Sequence, residues 1–125
     1  MANVQQNRKR VLIVDDDPAT LSMLASILDQ SYSVQMANNG LDGLRAALAA
    51  PPDLIITDVT MPGLDGISMV QRLRERCVRK IPVIFLTAHD DPVHTIAGIS
   101  AGARHYMAKP VDLAKLESHI RNIMK

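Results

Sequence analysis

Aromatic residues are nearly missing from this chain: it has no Trp, one Phe and two Tyr, namely Phe85, Tyr32 and Tyr106. Its core must therefore be aliphatic, and it has no run of rings on which nucleic-acid bases could stack. Cysteine is limited to Cys77, which excludes an internal disulfide framework and a Cys-based zinc cluster. Although 47% of the residues are hydrophobic, no apolar run approaches the roughly 18–20 residues that span a bilayer. The polar stretch Met1 to Asn7, followed by Arg8-Lys9-Arg10, lacks the apolar segment of a signal peptide. Charge of one sign is not in excess either: 14 basic and 13 acidic residues leave a net charge of +1. That balance gives no reason to expect direct contact with nucleic acid or a membrane. The basic cluster Arg72, Arg74, Arg76, Arg79 and Lys80 reads as a solvated helix face. A soluble, cytoplasmic protein is expected, and 125 residues suit one domain with a real core.

What is present is an alternation of short apolar runs with longer segments of helical period. Val11-Leu12-Ile13-Val14 reads as a buried strand ending in three carboxylates. Asp17-Pro18 supplies a cap and a first-turn proline for a helix carrying Leu21, Leu24, Ala25 and Leu28. Val34 to Ala37 is a weaker strand, Asn38-Asn39-Gly40 a turn, and Leu41, Leu44 and Leu48 mark a second helix that Pro51-Pro52 ends. Leu54-Ile55-Ile56-Thr57 runs into Asp58, and a turn-rich loop, Met61 to Gly66, leads to a helix with Ile67, Val70 and Leu73 on one face. Val83 to Leu86 is a fourth strand ending at Thr87. Asp91-Pro92 repeats the cap signal for a helix stopped by Gly102, and Arg104 to Ala108 leads to Lys109-Pro110. Leu113, Leu116, Ile120 and Ile123 define a last amphipathic helix. Five strand–helix pairs with continuously apolar strands predict an α/β domain, residues 8–125, whose parallel sheet is covered on both faces. Residues 1–7 form a loose tail.

The polar residues of interest follow strands: Asp15, Asp16 and Asp17 the first, Asp58 the third, Thr87 the fourth and Lys109 the fifth. In open α/β sheets that carboxyl edge is where ligands bind. Carboxylates converging there repel one another, and a hard divalent cation with oxygen ligands relieves the repulsion; Mg²⁺ is usual where phosphate is handled, with Mn²⁺ as the alternative ion. A lysine offers a compact charge to phosphate oxygens and a threonine hydroxyl a hydrogen bond. These parts suggest phosphoryl transfer to a carboxylate, and Asp58, alone at the end of a central strand, is the candidate nucleophile.

The chain resembles the receiver domains of bacterial two-component response regulators over about Arg8 to Lys125. The likeness is carried by Val14-Asp15-Asp16-Asp17-Pro18, by Asp58-Val59-Thr60-Met61-Pro62-Gly63-Leu64-Asp65-Gly66, by Leu86-Thr87-Ala88, and by Gly102 to Tyr106 with Lys109-Pro110. It implies a doubly wound, flavodoxin-like sheet of order 2-1-3-4-5 flanked by five helices. It also implies that Asp58 is phosphorylated by a sensor histidine kinase, a phosphotransfer protein or a small acyl phosphate. Mg²⁺ would be held directly by Asp16, Asp58 and the Thr60 carbonyl, with Asp15 acting through water. Lys109 would pair with the phosphoryl group, Thr87 would swing towards it and Tyr106 would turn inward. Thr60 and His89 would tune the phosphoryl lifetime, and Lys109-Pro110 would be cis. The helix before the last strand, that strand and the final helix would form the surface for an output protein or a covalently linked effector domain. The end of the chain after the last helix suits a stand-alone regulator and an N-terminal fragment equally.

Other readings attach to the same residues. Asp17 reads as a helix cap, Asp65 as a turn residue before Gly66, and Cys77 as buried filler at a helix end. His89, His94, His105 and His119 show no metal-ligand spacing. A receiver-like interaction module that needs no phosphate is the alternative function; the intact set Asp15, Asp16, Asp58, Thr87 and Lys109 argues against it. A phosphatase or mutase with an aspartyl-phosphate intermediate would want a carboxylate where Thr60 stands. A flavin mononucleotide carrier would want a hydroxyl- and glycine-rich loop where three aspartates stand. The domain is therefore not an enzyme, beyond catalysing its own modification and its hydrolysis.

Overall fold

The computed structural model describes residues 8–77, 79–88 and 103–125. Its elements are β1 (Arg10–Val14), α1 (Pro18–Leu28), β2 (Ser33–Ala37), α2 (Gly40–Ala49), β3 (Leu54–Asp58), α3 (Gly66–Arg76), β4 (Val83–Thr87), β5 (Ala103–Ala108) and α4 (Leu113–Ile123). The expected helix from Asp91 to Gly102, and the loose tail, lie outside the described residues. All five strands are parallel in the order β2-β1-β3-β4-β5, as expected. Strands β1, β2 and β5 each begin one residue earlier than the apolar pattern marks. Polar or small residues (Arg10, Ser33, Ala103) occupy those starts, where ladder pairing rather than burial defines the strand.

Successive residues of a strand point to opposite faces, and this divides the core in two. Leu12, Val14, Ile55, Val83 and Phe85 pack with Leu44, Ala47, Met69, Val70 and Leu73 of α2 and α3. Val11, Ile13, Leu54, Ile56, Ile84 and Leu86 pack on the other face with Leu21, Leu24 and Leu28 of α1 and Leu116 and Ile120 of α4. The middle strands β3 and β4 are buried along their whole length. Edge strand β2 exposes Gln35 and Met36, which explains its weaker signal.

Helix starts are fixed by the four residues Asp17, Asn39, Asp65 and Asp112, whose side chains accept backbone N–H groups of the first turn. Asn39 is thus a cap as well as part of a turn, and Asp65 caps α3 through the Ser68 N–H at 2.7 Å. At the opposite end of the sheet, arginines meet the negative ends of helices. Arg8 donates to the Asp29 carbonyl at the end of α1 (2.7 Å), and Arg10 donates to the Ala50 and Pro51 carbonyls after α2 (3.2 and 3.4 Å). Two members of the basic cluster are likewise engaged and are not merely solvated face. Arg74 donates to the Ile81 carbonyl, and Arg79 pairs with Asp53 at 2.7 Å. Cys77 sits at the C-cap of α3, half-buried against the core.

The loop after β3 turns through Gly63, whose φ of +78° favours glycine. It then returns so closely that the Gly66 N–H donates to the Val59 carbonyl at 2.8 Å. A Cβ on Gly66 would collide with the Asp58 backbone carbonyl. Gly66→Ala is therefore expected to destabilise the domain by about 1–3 kcal/mol. Urea unfolding should show a lower midpoint with an unchanged slope.

Candidate functional site

Because the strands are parallel, their carboxyl ends lie on one edge, and the polar residues that follow them gather there. Asp15 is almost fully buried (1% exposed); its backbone N–H donates to the Ala37 carbonyl and its Oδ1 accepts the Asp17 N–H at 2.9 Å. Asp16 is exposed beside it. Asp58, at the end of central β3, is 7% exposed. Lys109 reaches in from the end of β5: its Nζ lies 2.8 Å from Asp15 Oδ2 and 3.2 Å from Asp58 Oδ2. Its backbone N–H donates to the Thr87 carbonyl at 2.7 Å, which ties the ends of β4 and β5. Thr87 is buried at that junction. Lys109-Pro110 is cis.

One carboxylate oxygen from each of Asp15, Asp16 and Asp58 lies within 4.8 Å of the other two. Three carboxylates so placed face a single ammonium. Burial pushes the Asp58 carboxyl above its ordinary value and the Asp15 charge adds to the rise, while Lys109 and the Thr60 N–H oppose it. For Lys109, burial lowers the pKa, but the hydrogen bond to Asp15 and the charges of Asp58 and Asp15 outweigh it and the net shift is upward. An all-oxygen donor set with surplus negative charge suits a hard divalent cation such as Mg²⁺.

Most residues singled out in the sequence are thus in one place: Asp15, Asp16, Asp58, Thr60, Thr87 and Lys109. Asp17 is adjacent but faces the helix: its oxygens accept Ala19 N–H and Thr20 Oγ1–H at 3.1 and 2.8 Å. Those bonds, the Thr20 hydroxyl first, lower its pKa. Tyr106 lies one strand away on β5, its ring 6.1 Å from that of Phe85 and its hydroxyl buried. His89 lies outside the described residues. Sequence reasoning missed how the site is held: the Asp17 N–H on Asp15 and the close return of Gly66. Only the last left a sequence signal, a glycine at the end of a turn-rich loop.

The family model of the response regulator receiver domain matches residues 11–121. This chain belongs to that family. Among curated relatives of the receiver, the transcriptional regulatory protein PcoR of Escherichia coli is 38% identical over 118 residues, 94% of this chain and 52% of that protein. The transcriptional regulatory protein AfsQ1 of Streptomyces coelicolor is 36% identical over 115 residues, 92% of this chain and 50% of that one. The chain spans about half the length of these curated relatives. Among solved structures, the chemotaxis protein CheY4 of Vibrio cholerae superposes with a TM-score of 0.85 at 29% identity, covering 93% of this chain and 98% of that one. A CheY-like receiver domain protein of Methanospirillum hungatei gives 0.84 at 28% identity, covering 92% of each chain. Receivers are modules of phosphorylation-dependent signalling rather than enzymes acting on separate substrates. No helix among the described residues is long and apolar enough to cross a membrane.

The raised Asp58 pKa has a consequence for stability. The native state holds that proton more tightly than the unfolded chain does. Ionisation therefore costs native stability progressively as pH rises from the unfolded value, about 3.8, through the native one. Above both, the penalty is complete. Asp58→Asn removes it, so the variant should be more stable than wild type at neutral pH without divalent cations. Urea unfolding should show the difference shrinking when Mg²⁺ is added, because only wild type keeps all three carboxylates.

Proposed function

We propose that Asp58 of this receiver is the phosphoacceptor, loaded by a sensor histidine kinase, a phosphotransfer protein or a small acyl phosphate in the cytoplasm. The observation that carries the reading is the position of Asp58: at the end of the central strand, with Lys109 Nζ 3.2 Å away and carboxylate oxygens of Asp15 and Asp16 within 4.8 Å. An oxygen of the Asp58 carboxylate forms a bond to phosphorus as the bond from phosphorus to the donor atom breaks. The released electron pair stays on the leaving group, which is a histidine imidazole that takes up a proton or, from an acyl phosphate, a free carboxylate. The ammonium of Lys109, held ready by Asp15, receives phosphoryl oxygens with little reorganisation. Asp15, Asp16, Asp58 and the Thr60 carbonyl would hold Mg²⁺ or Mn²⁺, which when bound supplies neutralising charge for those oxygens. Water attack on the same phosphorus restores Asp58, and Thr60 and His89 govern how readily water arrives.

The acyl phosphate adds roughly −1.5 to −2 charge. Thr87 Oγ and Lys109 favour the arrangement that contacts this charge, and Tyr106, on the strand tied to Thr87 through Lys109, follows. Phosphorylation thereby shifts the population of the surface formed by β5, α4 and the segment before β5. That surface meets an output protein or a linked effector domain; the relatives named as transcriptional regulators are about twice as long. A phosphate-independent interaction module would have no need of the Asp58–Lys109–Asp15 arrangement.

Incubation with Mg²⁺ and acetyl phosphate, followed by intact mass, tests this. A single phosphoryl adduct should form, require Mg²⁺ and be absent in Asp58→Asn. Failure with both acetyl phosphate and a kinase donor would sink the reading. Lys109→Ala should form the adduct about 10²-fold more slowly, the usual loss when one preorganised charge contact is removed.

A further inference from the structure

His105 and His119 come from different elements, fourteen positions apart in sequence, and stack face to face with ring centroids 3.6 Å apart and planes at 24°. His105 is on β5, paired in register with Ile84 of β4, and so lies on the sheet face that α4 covers. His119 is on α4, between Leu116 and Ile120, the two residues that bury that helix. The imidazoles therefore close the outer rim of the contact between the edge strand and the final helix. His119 also lines, with Tyr106, Asp112 and Lys115, a cleft of about 390 Å³ between those elements.

We propose that the His105–His119 stack is a proton-sensitive joint holding α4 to β5, which acidification loosens. Two neutral imidazoles stack without penalty, and one charged ring over a neutral one is tolerated. Two charged rings at 3.6 Å repel each other across a half-buried contact. The charges around the pair act the same way. Arg104 is the preceding residue on β5, and Lys115 stands one helical turn before His119. The carboxylate of Asp112, which lines the same cleft, caps α4 by accepting the Lys115 backbone N–H at 3.2 Å. Glu117 pairs with Arg121 and lines a separate cleft beside Tyr32 and the end of α1. Among the described residues, no carboxylate forms an ion pair with either imidazole.

Burial, then His119 and Arg104, lower the His105 pKa from its ordinary 6.5. A base depressed in the native state contributes stability that is present above the unfolded value and lost as pH falls through the native one. The joint is thus closed at neutral pH and weakens below about 6.5. Its link to output rests on the proposed function, because β5 and α4 belong to the proposed output surface.

Titration of the imidazole C–H resonances of the unphosphorylated, metal-free protein from about pH 8 to about pH 5 tests the joint itself. His105 should titrate below the ordinary histidine range in wild type and move upward in His119→Asn. Wild type should also lose more stability than His119→Asn over the same acidification, as read by urea midpoints. An unchanged His105 titration in His119→Asn would overturn the proposal, as would equal acid sensitivity of the two proteins. His119→Gln, which keeps an extended polar side chain on the helix, guards against a folding artefact: it must shift His105 in the same direction. No phosphate enters this experiment, so failure of Asp58 to form an adduct would remove the proposed output role without touching the titration result.

Discussion

An ammonium group wedged between two buried carboxylates organises this molecule. Lys109 Nζ reaches Asp15 and Asp58 across strands that are far apart in sequence, 94 and 51 positions respectively. Without it, two buried carboxylates would lose the ammonium that pairs with them, an expensive arrangement. With it, the ends of β1, β3 and β5 are drawn to one point, and the Lys109 N–H on the Thr87 carbonyl brings β4 into the same arrangement. The neutralisation is incomplete: among the described residues Lys109 is the cation that reaches these carboxylates, and the surplus negative charge of the oxygen set suits a hard divalent ion.

The two half-cores make this edge stiff. Thr57 and Asp58 end a strand whose other residues alternate between the two faces, each face filled by its own helices. The Asp58 carbonyl also accepts the Thr57 hydroxyl at 3.0 Å and is crowded by the backbone of Gly66. The Asp58 carboxylate therefore emerges from a closely packed segment, while Asp16 is exposed.

Much of this was legible in the residues. Short apolar runs located β1, β3 and β4, since a strand buried on both faces carries little else, whereas the edge strands β2 and β5 carry polar residues and signalled themselves more weakly. Asp17-Pro18 marked a helix start correctly, and the polar residues that follow β1, β3, β4 and β5 do gather at one edge. Other features were not legible because they arise from distance in sequence and closeness in space. Arg74 and Arg79 belong to a basic stretch that looks uniformly solvated, yet one meets the Ile81 carbonyl and the other Asp53. His105 and His119 show no spacing signal, because strand-to-helix packing, not a motif, stacks them. Asn39 looked like a turn because turn and helix cap use the same side-chain chemistry.

The arginines that cap helix ends at the base of the sheet bear on where this fold begins. The recognisable family pattern starts at residue 11. The physical unit starts earlier: Arg8 closes the end of α1, the Lys9 carbonyl accepts the Ser33 N–H at 2.9 Å, and the Arg10 N–H donates to Asp53 at 2.8 Å. A chain excised at the first residue of the pattern would open the carbonyl ends of two helices and the first rung of the β1–β2 ladder at once. Sequence likeness and mechanical integrity thus have different borders, and the three residues between them belong to the fold.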